Sequence, residues 1–427
     1  MAALREPFGR DSGAGGLNSR FVEWLEKHSA AAGVWYVKRL SRNDTSANES
    51  HQAGPYVPKH LLFQVFPALK EQSVPNPRVR FVAHIDSHAE QHEPQAIWYD
   101  NKFRGGTRDE TRLTGFGGRG SAFLDPSNTG ALTILAFRTE EPATRPACNV
   151  WICRDPGEET LAEDCVGPVE PGTTLVRHPG SFLRPAWQPP EAEGKCWLAA
   201  DQIPPEWLET FPDCATLIRK TVELRPRSRG EKPDRRLMSR RACEYDLFRS
   251  VEEAVELPLV REGFSTIDEF IGVAQRILQR RKARSGRSLE LHVREIFLEE
   301  GLQENRDFAH GPLTQAGKRP DFLFPSEDAY RDSSFPPEQL RMLAVKTTCK
   351  DRWRQILNEA DRVQEKHLLT LQEGVSTNQF REMREANVTL VVPRALRRKY
   401  PAVARPQIQT LTEFIEAVRP SDVPSRL

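Results

Sequence analysis

The chain has little that would suit it to a membrane or to an oxidising compartment. None of its 427 residues fall in an apolar run near the roughly 18 that a membrane span needs. Mean hydropathy is −0.59. The opening residues, MAALREPFGRDSGAGG, lack the apolar core of a signal peptide, so a cytoplasmic protein is expected. Seven cysteines, Cys148, Cys153, Cys165, Cys196, Cys214, Cys243 and Cys349, form no CxxC pair. An odd, scattered set argues against a zinc ribbon and for reduced thiols. Internal repeats and long low-complexity tracts are absent too, which excludes solenoid and fibrous architectures.

A net charge of +1 hides local imbalance. Residues 219–241 carry ten Lys or Arg against three acids, and residues 276–287 carry six basic residues and no acid. Such patches suit phosphate backbones, because each neutralised phosphate releases counterions. A solvated helix face would explain either patch alone equally well.

The length predicts two or three domains, divided here as 1–175, a linker at 176–200, and 201–427. The first part reads as short strands, including Val34–Val37, His60–Phe63, Arg80–Ala83 and Ala131–Phe137, at a spacing that suggests a small barrel. Between about 154 and 195 the composition turns to Pro, Gly and Glu, as a linker would. In the C-terminal part, Thr266 and Glu269 form a capping box before an amphipathic helix bearing Ile267, Phe270, Ile271, Ala274, Ile277 and Leu278. A second helix is predicted from about Ser288 to Glu300. Strands are predicted over 321–324, 342–347, 367–371 and 388–392, with a helix from about Asp351 to Lys366. This alternation predicts an α/β core around a central mixed sheet.

Chemistry concentrates in the last quarter. Asp321 opens a strand directly after Pro320, Lys346 ends the next strand, and Glu359 follows within the predicted helix. Glu290 sits on the earlier helix, off the face of Val293 and Phe297. A phosphodiesterase needs two or more carboxylates to hold Mg2+ and a cation near the attacking water, and these residues supply both. A capped turn, a snorkelling lysine and two exposed glutamates would explain each position singly. Ala344 stands where the usual nuclease pattern has an acid, so Glu359 or Glu290 would have to replace it. Lys350-Asp351-Arg352 could read consecutive G·C pairs, since Lys and Arg donate to guanine and Asp accepts from cytosine. A charged helix N-terminus is the alternative reading.

The run from Arg319 through Thr347-Thr348-Cys349-Lys350-Asp351-Arg352-Trp353-Arg354-Gln355 to His367-Leu368-Leu369-Thr370-Leu371-Gln372-Glu373-Gly374 resembles the EcoRII-type restriction endonucleases. These are type IIE enzymes that cleave double-stranded DNA before CCWGG, and the resemblance extends over nearly the whole chain. It implies a variant PD-(D/E)xK nuclease domain whose acid has moved to the downstream helix. Asp321, Lys346 and Glu359 would then be catalytic, with Glu290 as a further acid and Lys350 close by. Asp321, Glu359 and Glu290 would hold Mg2+. Lys350, Asp351 and Arg352 would read the CC:GG pairs, and Arg241 and Tyr245 would line pockets for bases flipped out of the duplex. The N-terminal region would be a DNA-binding pseudobarrel, an effector domain for a second copy of the site. Its expected arms hold Lys38, Asn43, Asp44 and His51, and Arg108, Glu110 and Arg112.

Together these readings predict a Mg2+-dependent homodimer that cuts double-stranded DNA and is held closed by its N-terminal domain until effector DNA binds. A cytosine methyltransferase is implied as a functional partner, because the host must protect its own DNA. The rivals are a catalytically silent DNA-binding regulator that retains the fold, and a monomeric nicking or repair nuclease.

Overall fold

The computed structural model describes residues 15–31, 33–46, 54–71, 73–118, 120–138, 146–177, 196–350 and 352–420. His51 and Asp351 lie outside the described residues. The chain opens with helix α1 (Gly15–Ala31), strand β1 (Val34–Arg39) and helix α2 (Lys59–Val65). There follow β2 (Arg78–Arg80), β3 (Val82–Ile85), β4 (Glu90–His92), β5 (Gln95–Tyr99), β6 (Glu110–Thr114), β7 (Leu132–Arg138) and β8 (Ala147–Ile152). Helix α3 (Pro156–Val166) and β9 (Thr174–Arg177) complete this half.

Six strands form one sheet in the order β4-β3-β8-β7-β1-β9, and β2-β5-β6 form a second. Side chains alternate across a strand, and here both faces of the large sheet are covered. Tyr36, Leu135 and Phe137 enter one core with Phe66 and Phe81, while Trp35, Ile134 and Ala136 enter another with Phe21, Trp24 and Trp151. Two-sided burial explains the unbroken apolar run through β7.

Two expectations fail in this half. His60–Phe63 is part of a helix, because Pro58 starts the turn and Leu61, Leu62 and Val65 share one buried face. Residues 156–166 are helical rather than linker, capped by Asp155, which accepts from the Gly157 and Glu158 amides, with Pro156 at the first position.

The second half begins with α4 (Pro205–Glu209), α5 (Cys214–Leu224) and a long pair, α6 (Pro233–Glu262) and α7 (Ile267–Glu299). The two helices predicted around 267–300 are one. Ion pairs between the long helices stitch it: Arg276 and Arg280 to Glu256, Arg281 to Glu252, Arg284 to Glu244. The first basic patch is neutralised in part, with Arg236 and Arg240 buried against Glu299 and Glu300. The second patch is thus largely an internal network, whereas the first is divided, with Arg236, Arg240 and Arg241 buried and Arg219, Arg225, Arg229, Lys232 and Arg235 exposed. Ile267 and Ile271 of the expected amphipathic face are exposed, whereas Leu289, Val293, Ile296 and Phe297 are buried as expected. Cys196 and Cys243 form a disulfide across 5.2 Å between Cα atoms, contrary to the expected reduced thiols.

The remaining sheet joins β10 (Ala309–His310), β11 (Phe322–Phe324), β12 (Arg341–Lys346), β13 (Lys366–Thr370) and β14 (Val388–Val391) in sequence order. It is mixed, as predicted: β10, β11 and β12 run antiparallel to their neighbours, and β12, β13 and β14 run parallel. Phe297 of α7 packs edge-on against Phe322 and Phe324 at 5.2 and 5.5 Å, which seats the helix on this sheet. The helix predicted from Asp351 to Lys366 is instead a 3-10 stretch, Arg352–Asn358. Ala360, at a φ of 50°, cannot continue a right-handed helix, and Lys366 Nζ gathers the freed carbonyls of Glu359, Ala360 and Val363.

Candidate active site

The antiparallel pairing of β11 with β12 brings the chemistry together. Phe322 lies opposite Leu343, so Asp321, one step earlier, reaches the end of β12. Its Oδ2 accepts from the Val345 amide at 2.6 Å and from Lys346 Nζ at 3.0 Å. Glu359 enters from the end of the 3-10 stretch, and its Oε2 is buried without a hydrogen-bond partner. Glu290 approaches from α7, where His310 Nε2 meets its Oε1 at 2.5 Å.

These acids feel one another. Burial pushes the Asp321 carboxyl above the usual aspartate range, against the pull of Lys346 and the Val345 amide, and the charge on Glu290 adds to the rise. Glu359 is raised chiefly by burial as well, with Asp321 contributing and Lys346 opposing. Desolvation plus like charge is how a carboxylate cluster waiting for a cation behaves. A buried acid oxygen lacking any donor fits a hard divalent ion such as Mg2+, which takes oxygen ligands. No set of three His, Cys, Asp or Glu among the described residues is close enough to enclose an ion as the chain stands. The carboxylate oxygens suit such an ion in kind.

The other expected residues are dispersed. Lys350 is anchored through its backbone: the Cys349 and Lys350 amides donate to Gln372 Oε1 at 2.9 and 3.1 Å. Its Nζ donates across to the Cys153 carbonyl of the N-terminal half at 3.3 Å. Arg352 is half-buried at the start of the 3-10 stretch. Arg241 is buried on α6 and donates to Ser288 Oγ and, at 2.6 Å, to Glu170 Oε1. Tyr245, 46% exposed, lines a small cleft with Pro168, Leu175 and Phe248. Arg284 stands 5.1 Å above its ring.

Glu170 carried no sequence signal, yet it is central to this arrangement. The same Oε1 accepts from Arg284 at 2.9 Å, so one N-terminal carboxylate sits between two arginines of the C-terminal half. Burial alone would raise Glu170, but the two guanidiniums outweigh it and hold it below the usual range. Lys282 pairs with Asp164 at 2.8 Å nearby, and Arg42 Nη1 donates to the Tyr400 carbonyl at 3.0 Å.

In the first N-terminal arm, Lys38 and Asp44 pair with each other at 2.7 Å and are buried. Asp44 also accepts from the Ser41 and Tyr56 amides, so in this state the pair shapes the arm from inside and leaves Asn43 exposed. In the second arm, Glu110 on β6 joins Arg108 and Arg112, and the Arg108 guanidinium lies 3.8 Å over Tyr99. His84, Asp86 and His88 do not gather into a set that could hold an ion among the described residues. Asp86 instead accepts from Trp24 and Asn149.

No described helix is long and apolar enough to cross a membrane. The family model described as EcoRII C terminal matches residues 248–415, and that described as Restriction endonuclease EcoRII, N-terminal, matches residues 29–181. Type II restriction enzyme EcoRII of Escherichia coli is 43% identical over 401 residues, covering 93% of this chain and 97% of that protein. Among solved structures, metal-depleted Ecl18kI in complex with uncleaved DNA is 17% identical with a TM-score of 0.41, covering 52% of this chain and 84% of that one. The B3 domain of UbaLAI restriction endonuclease with cognate DNA is 21% identical with a TM-score of 0.26, covering 38% of this chain and 98% of that one. At these scores the two structures carry no argument. The identity to the Escherichia coli enzyme spans nearly all of both proteins, and the chain belongs to the EcoRII family of type II restriction enzymes, site-specific nucleases.

Proposed function

We propose that this chain cuts double-stranded DNA at CCWGG-type sites with Mg2+, through a variant PD-(D/E)xK site, and that its N-terminal pseudobarrel gates the reaction. The observation that carries the chemistry is the junction of Asp321 with Lys346 beside the unpartnered Oε2 of Glu359. Asp321, Glu359 and Glu290 would hold Mg2+, which supplies Lewis acidity to the scissile phosphate. Lys346 orients the attacking water for in-line displacement. Lys350, Asp351 and Arg352 read the outer G·C pairs, and Arg241 and Tyr245 receive flipped bases. Asn43, Asp44, Lys38 and His51 with Arg108, Glu110 and Arg112 would bind the second, effector copy of the site. A homodimer meets two strands with two active sites, and a cytosine methyltransferase protects the host.

Gating is favoured by the engagement of two expected DNA-reading residues with the N-terminal half: Lys350 with Cys153, and Arg241 with Glu170. DNA and these contacts compete for the same donors. The test of specificity is to digest DNA of random sequence with Mg2+ and sequence the ends. Ends clustered at CCWGG support the reading, and ends at another sequence discard that target.

The raised carboxyls make metal binding pH-dependent. Asp321 and Glu359 bind protons more tightly in the fold than in the unfolded chain. Their charging penalty is therefore absent at low pH and grows as pH rises through the raised values. Mg2+ relieves that penalty only where the acids are ionised. Added Mg2+ is expected to raise the melting temperature by about 5 °C at pH 8, and the rise should shrink as the pH falls through the raised carboxyl range, read by differential scanning fluorimetry. A rise of the same size at every pH would contradict the proposed ligands.

A further inference from the structure

We infer that His310 is a positioning residue for this reaction, fixing the Glu290 carboxylate toward Asp321. The inference rests on the reading of Glu290 and Asp321 as metal-holding acids. His310 ends β10, whose register places it opposite Phe322, the residue after Asp321. Its ring stacks on Phe322 with centroids 5.1 Å apart and planes 23° apart, so the strand that begins right after Asp321 also sets the plane of the imidazole. An ionised carboxylate only accepts, so the 2.5 Å contact is Nε2–H donating to Glu290 Oε1. The other ring nitrogen faces Glu304 Oε1 at 4.0 Å, and Glu304 is itself gripped by Arg294, one helical turn beyond Glu290 on α7.

The imidazole thus links two elements that would otherwise place their acids independently. Glu290 rides on α7, Asp321 directly precedes β11, and the ring joins α7 to β11 through a hydrogen bond on one side and a stack on Phe322 on the other. A long glutamate side chain left alone samples several rotamers, and each must be frozen out when a cation is held. With Oε1 tied to His310, Oε2 is the oxygen left for the cation. Partners that orient a ligating group in this way are commonly worth 10- to 100-fold in metal affinity.

The experiment measures, in the full chain, the Mg2+ concentration giving half of the Mg2+-induced rise in melting temperature, and separately that giving half-maximal cleavage. His310→Phe keeps the stack on Phe322 and removes the donor. Its midpoints should rise about tenfold in both readouts, with the cleavage rate at saturating Mg2+ little changed. His310→Gln carries an amide N–H close to the position of Nε2 and should restore both midpoints to near wild type. His310→Asn, whose amide falls short of Glu290, should behave as the phenylalanine variant and decides the case if that one does not fold. Glu290→Gln is run alongside. If it raises the midpoints while His310→Phe and His310→Asn do not, the positioning role is wrong and the site stands. If Glu290→Gln leaves both midpoints at the wild-type value, the site reading fails and this inference with it.

Discussion

Lys346→Ala is expected to lower the cleavage rate by about 10³-fold, close to 4 kcal/mol of transition-state stabilisation. The lysine ends β12 with its ammonium 3.0 Å from Asp321 Oδ2, at the point where strand pairing brings the acid and the cation together. Its removal acts twice. The cation beside the water is lost, and the buried Asp321 loses the charge that opposes its desolvation, so it becomes harder to ionise. The pH at which the residual activity rises should therefore move upward. Asp321 keeps the Val345 amide, and Lys346 lies at the strand's end, so the fold should survive. Binding to site-bearing DNA should persist while cutting fails. A Lys346→Ala variant cutting within tenfold of wild type would remove this residue from the mechanism.

Glu170→Ala should produce the opposite sign, raising the cleavage rate on DNA with a single site by about tenfold, within the usual 5- to 150-fold range of coupling between sites. Arg241 and Arg284 share Glu170, and without it Glu244 is the one acid left paired with them among the described residues. Two largely buried guanidiniums with too little negative charge penalise the closed state. Opening returns them to water or offers them to DNA phosphates, so the balance moves toward the active form. Activation by added effector DNA should shrink in proportion. Unchanged single-site activity, with the variant folded, would sink gating through this contact.

Much of the candidate site was legible because it is local. The proline before Asp321, the apolar runs of β11 and β12 and the lysine closing the second are periodic signals, and strand pairing does the rest. Glu359 was found for a reason only partly right. The expected helix does not form, since Ala360 takes a left-handed conformation, yet the turn it closes still carries the glutamate to the site. What the sequence hid is long-range. The basic runs suggest open phosphate-binding faces, but many of their arginines find glutamates on α6, on α7 and in the N-terminal half, and no local pattern announces such pairings. Glu170 sits in a Pro- and Gly-rich stretch that reads as linker. His310 stands on a two-residue strand too short for any period to reveal. Lys38 and Asp44, close in sequence and opposite in charge, turn inward to each other. Composition alone does not tell a buried pair from two exposed readers.

A Mg2+-dependent cut at a defined sequence, governed by a second site, is tested by one measurement. Plasmids carrying one or several CCWGG sites are incubated with Mg2+ and either the wild-type chain or Asp321→Ala. Discrete double-strand cuts at CCWGG are expected from the wild type, faster on the multi-site plasmid, and none from the variant. Binding without cutting by both proteins, or equal cutting by both, would contradict that reading.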